Sequence, residues 1–119
     1  VNDIDTTDSR RDAILAGLRA LIGFLWARPD VPLPASALTR ILIYPDGPDE
    51  VGIAEVYRIA KAMGVPVTSG LGRPITEDTT HYTAEISFGP VEFSVLYITE
   101  AYRAEHAARR AAEAAGGAS

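Results

Sequence analysis

His81-Tyr-Thr-Ala-Glu-Ile-Ser-Phe-Gly-Pro-Val-Glu-Phe-Ser-Val-Leu-Tyr-Ile98 is the stretch on which the fold turns. Tyr82, Ala84, Ile86 and Phe88 alternate with His81, Thr83, Glu85 and Ser87, the period-two pattern of a strand with one dry and one wet face. Val91, Phe93, Val95 and Tyr97 alternate with Glu92 and Ser94 in the same way. Gly89-Pro90 between the runs is turn chemistry, so Phe88 and Val91 flank the turn of an antiparallel hairpin over residues 79–98.

Working upstream, Ser69 to Asp78 holds two Gly and a Pro and reads as a loop. Val65-Pro-Val-Thr68 reads as a short or edge strand, because Pro66 cannot donate to a ladder. Pro48, Asp49 and Glu50 suit the first turn of a helix. Ile53, Val56, Ile59, Ala60 and Met63 give that helix its inner face, and Gly64 is placed for the left-handed position that ends it. Leu38 to Tyr44 is β-branched and nearly continuous in apolar residues, which predicts a strand buried on much of both faces and central in its sheet. Pro45-Asp-Gly-Pro48 turns the chain between them. Downstream, Glu100 to Ala115 is an Ala-dominated helix with i, i+4 pairs Glu105–Arg109 and Arg109–Glu113, and only Tyr102 and a few Ala offer it a packing face.

The first helix is predicted over Ser9 to Arg28, where Ile14, Leu15, Leu18, Leu21, Ile22, Leu25 and Trp26 form one apolar face. Ser9 is placed to cap it, and Pro29 ends it. Gly17 and Gly23 weaken it and are expected to mark close approach of another backbone. Pro29 to Pro34 is a stiff connector into the sheet. The order α-β-α-β-β-β-α predicts an α+β fold, with a small, mainly antiparallel sheet of three or four strands and helices packed on one face. One domain is expected over residues 9–115, between flexible tails at 1–8 and 116–119, since 119 residues are about the size of a single core.

Composition narrows the function. The net charge of -5 has the wrong sign for general attraction to phosphate backbones, and no aromatics interleave with a basic stripe, so nucleic acid is not an expected partner. No cysteine excludes a disulfide framework, thiol catalysis and Cys-ligated zinc, and two histidines leave little for a metal; no metal or cofactor is expected. The longest apolar run is far short of a membrane span, and the expectation is a soluble, cytoplasmic protein without a membrane.

Two groups of residues stand out. Phe24 and Trp26 point to different sides of the first helix, and together with Tyr102 they form a candidate interaction surface. Arg73, in Ser69-Gly-Leu-Gly-Arg-Pro74, lies beside the hairpin whose wet face carries His81 and Glu85; these three are candidate ligand contacts. The loop lacks the lysine and following helix of a nucleotide fingerprint, and no nucleophile is specified near His81. The acids of Asp46-Gly-Pro-Asp-Glu50 lack calcium-loop spacing and are accounted for by the helix dipole.

Three stretches carry a resemblance. They are Gly17-Leu-Arg-Ala-Leu-Ile-Gly-Phe-Leu-Trp-Ala-Arg-Pro-Asp-Val-Pro-Leu-Pro34, Tyr44-Pro-Asp-Gly with the helix to Gly64-Val65, and His81 to Ile98. Together they resemble a family of small proteins of actinobacteria, their phages and mobile elements, whose members carry no established activity. Ten Arg to one Lys, with 19 Ala, fits the GC-rich genomes of such hosts. The resemblance transfers no functional residue. With no catalytic constellation, the expected function is a non-enzymatic protein-interaction or regulatory module that self-associates, with the terminal helix from Glu100 as a candidate interface. The alternative is a small-molecule-binding protein or enzyme using the polar face of the hairpin and the 69–78 loop.

Overall fold

The computed structural model describes residues 3–35 and 39–117. Leu38, which opens the predicted β-strand, and the outermost residues of both predicted tails lie outside them. The order is α1 (Asp3–Ala27), β1 (Thr39–Ile43), α2 (Asp49–Met63), β2 (His81–Phe88), β3 (Val91–Ile98) and α3 (Glu100–Gly117), an α+β fold. The chain divides into two compact units, residues 1–35 and 36–119, and the sheet belongs wholly to the second.

The hairpin forms as its alternation dictates, with β2 and β3 antiparallel from Phe88↔Val91 at the turn to His81↔Ile98 at the open end. Gly89 takes φ 59 at the first central position of the turn, a conformation that glycine adopts without strain. The sheet is β1-β3-β2, with β1 parallel to β3 from Thr39↔Val91 to Ile43↔Val95. It is therefore mixed, one parallel and one antiparallel pair, and not mainly antiparallel. The hairpin leaves one side of β3 open, and β1 fills it in parallel sense, with α2, the 64–80 segment and β2 lying between the two strands in sequence.

Two further expectations are corrected. β1 is an edge strand and not a central one, and Ile41 and Ile43 stay 43% and 39% exposed. Its continuous apolarity describes side chains that need cover and carries no information about which neighbours the backbone finds. Val65 to Thr68 forms no strand: Thr68 makes an isolated bridge with Thr83, through hydrogen bonds of 2.9 and 2.8 Å, while Pro66 withholds the donor that would extend it.

α2 is the helix that packs along the sheet. Val56 and Ala60 are buried against Ala84, Val95 and Tyr97, with Ile53, Ile59, Met63, Tyr82 and Phe93 around them. Gly64 ends it as predicted at φ 76; its N–H reaches the Lys61 carbonyl while that of Val65 reaches Ala60, the paired bonds of a Schellman motif. Gly52 serves a different purpose, because a Cβ there would stand 2.0 Å from a carbon of the Tyr97 ring. The ring lies directly on the helix backbone, and its hydroxyl donates to the Gly47 carbonyl at 2.9 Å and to Asp49 Oδ1 at 3.0 Å. Asp49 Oδ1 also accepts the Glu100 N–H at 2.9 Å, so one carboxylate ties the start of α2 to the end of β3 and the start of α3. α3 reaches the sheet near its own beginning, through Tyr102 against His81 and Arg103 against Tyr97.

In the first unit, α1 begins at Asp3, six residues before the predicted start, since no Gly or Pro interrupts the run to Ser9; Ser9 is helix interior and caps nothing. Gly17 and Gly23 have no atom within 4 Å of where a Cβ would stand, so neither marks a close approach. After Ala27 the chain turns at Pro29, with Val31 N–H bonded to the Arg28 carbonyl at 3.0 Å.

Candidate functional site

The longest helix carries a row of exposed aliphatic side chains. Ile14, Leu15, Leu18, Leu21 and Ile22, spaced to share one face, are each between 39% and 63% exposed, and Leu25 continues the row half-buried. Trp26, one turn beyond Ile22 on the flank of this row, is 87% exposed. Phe24 lies on the other flank, where the Arg28 guanidinium sits 4.2 Å over its ring. Of the three predicted interaction residues, Phe24 and Trp26 are thus exposed on α1. Tyr102, on α3, is engaged within its own chain: its ring meets His81 edge-on at 4.7 Å and stacks with His106 at 6.2 Å.

The second candidate is the sheet face opposite α2. His81 and Glu85, two of the three residues expected to converge, line one cavity of about 230 Å³ with Arg40, Leu42, Leu71 and Leu96. Arg73 does not join them; it lines a neighbouring hollow with Ser69, Pro74, Thr76, Asp78 and Thr79. His81 Nδ1 lies 2.8 Å from the Thr80 hydroxyl. The loop over the cavity places Gly70, Leu71 and Gly72 at positive φ, and Leu71, at φ 52, is the non-glycine among them.

Beside that cavity lies a pair that alternation misassigned. Glu92 and Ser94 belong to the expected wet face of β3, yet they are 8% and 2% exposed. A central strand has neighbours on both sides, and Glu92 is offset by the residue its parallel register sets opposite, Arg40, whose Nε stands 2.8 Å from Oε1. The Ser94 hydroxyl donates to the same oxygen. The signal available in the sequence was the single cation in the apolar run of β1.

At the far end of the sheet, Tyr44, Pro45, Asp46, Leu96, Tyr97, Ile98 and Arg103 line a cavity of about 250 Å³. Two of its polar groups, Tyr97 and Arg103, bond to each other, and Tyr97 also ties β3 to the start of α2. Burial, then the hydrogen bond and negative charge of Asp49, holds the Tyr97 phenol above its ordinary range, and Arg103 Nη2 donates to its oxygen at 3.3 Å. No group of three or more His, Cys, Asp or Glu among the described residues is arranged to hold a metal ion. No helix among them is long and apolar enough to cross a membrane. Comparison with protein-family models, curated proteins and solved structures finds no match to this chain.

Proposed function

We propose that this chain is a non-enzymatic interaction module that self-associates through α1. The observation that carries the reading is the apolar row of that helix. At about 1.5–3 kcal/mol for full burial of an aliphatic side chain, each residue left half in water forgoes roughly 1 kcal/mol. A helix of this kind draws most of its stability from covering such a face. Two copies offer each other the same surface, which is the condition for a symmetric dimer. The resemblance to small actinobacterial and phage proteins belongs to this reading, as does a cytoplasmic setting, which suits a chain without cysteine. The test is the mass of the full chain by light scattering after gel filtration over a range of concentrations. A mass rising to two chains supports the proposal; a mass of one chain throughout overturns it.

A second reading rests on His81 and Glu85 sharing a cavity with Arg40. Mixed charge beside leucines suits a small amphiphilic ligand, bound without chemistry being required. Fragment screening by NMR tests it: localised shifts at His81, Thr83 and Glu85 support a site there, and fragments that leave those resonances unmoved remove it.

A further inference from the structure

We infer that the second copy docks α1 against α1 in antiparallel sense, with the two-fold axis passing between Arg19 and Ala20. This rests on the proposed self-association and specifies its geometry. The apolar row runs from Ile14 to Leu25 and is centred on that point. Antiparallel crossing there sets Leu18 level with Leu21 of the second copy and Ile14 level with Leu25, so every row of the seam is apolar on both sides. One flank then brings Leu15 beside Ile22. The other brings Phe24 beside Gly17, where no atom lies within 4 Å of a would-be Cβ. Parallel pairing matches the seam equally but sets the Leu15 flank beside Arg10, and it aligns the two helix dipoles unfavourably.

The surface is large enough. At these exposures the aliphatic row holds on the order of 500 Å² per copy, and removing all of it from both copies reaches about 1,000 Å², the lower limit of a specific interface. Trp26 at 87% exposure adds to it at the margin. The occupant is a second copy of this chain because its own row supplies the matching register without any further element.

The experiment uses the full chain, which has no native cysteine to interfere. Leu18→Glu, with helix content checked by circular dichroism, is expected to raise the dimer dissociation constant by roughly 100-fold, since it sets two carboxylates into the apolar seam. Separately, Ile14→Cys and Leu25→Cys chains are mixed and treated with a short thiol cross-linker. Antiparallel docking gives mainly the mixed 14–25 product, because like positions then stand about 16 Å apart along the helices, while parallel docking gives each variant cross-linked to itself and overturns the inference. A dimer whose affinity Leu18→Glu leaves unchanged also overturns it while sparing self-association. A wild-type chain that is monomeric at every concentration overturns both, and leaves α1 covered by something other than a copy of itself.

Discussion

Gly52→Ala tests the seating of Tyr97 on α2. The added Cβ would stand 2.0, 2.2 and 2.6 Å from three ring carbons, against an ordinary contact of about 3.5–4.0 Å. Ring and helix must part by about 1.5 Å, which carries the hydroxyl beyond hydrogen-bonding reach of Gly47 and Asp49, now at 2.9 and 3.0 Å. Overpacking costs about 1–3 kcal/mol, and loss of the hydroxyl's donated bond, one proton shared between two acceptors, about 0.5–1.5 kcal/mol. Better helix propensity returns about 1 kcal/mol. The net expectation is a loss of about 0.5–3.5 kcal/mol, read from urea denaturation followed by far-ultraviolet circular dichroism. In a Tyr97→Val background the clash is gone, and the same substitution is expected to become neutral or to stabilise by up to about 1 kcal/mol. Equal costs in the two backgrounds, or no cost in the native one, would refute the packing described.

Other consequences are open to measurement. Arg40→Met leaves the Glu92 carboxylate, 8% exposed, with Ser94 as its remaining partner; a loss of about 1–2 kcal/mol is expected, discounted for the solvent around Arg40, and a second change of Glu92→Gln is expected to recover part of it. Because the Tyr97 phenol is held above its ordinary value, the folded chain keeps a proton that the unfolded chain releases above about pH 10. Its contribution to stability is therefore complete below that pH and lost as pH rises through the folded value; denaturation midpoints from pH 9 to 11.5 should fall more steeply for the native chain than for Tyr97→Phe. Trp26 is the sole tryptophan, so its emission should move to shorter wavelength and its quenching by acrylamide should weaken as concentration drives association. An unchanged spectrum across a dimerisation would place Trp26 outside the contact.

What the sequence disclosed is what neighbouring residues decide among themselves. The hairpin and its Phe88–Val91 closure follow from alternation and a Gly-Pro turn, and the end of α2 follows from Gly64. His81 and Glu85 were legible as companions because residues four apart on a strand share a face. Arg73 was not, since a loop has no period from which to aim a side chain. The parallel pairing of β1, the burial of Glu92 and the double duty of Asp49 all depend on partners roughly fifty residues away, for which no local pattern exists. Gly52 shows in sequence only as a poor helix former; its purpose appears once Tyr97 lies over it.

The parallel partnership of β1 also sets a timetable. β2 and β3 meet across two residues and can pair as soon as both exist, whereas Thr39 must wait for Val91. Synthesis at about 5–20 residues per second puts several seconds between the making of β1 and the making of its partner. During that interval Ile41, Leu42 and Ile43 form a bare apolar segment, shielded by the charge of Arg40 alone. In the finished sheet Arg40 faces Glu92; in the nascent chain the same cation is a gatekeeper against pairing with other chains.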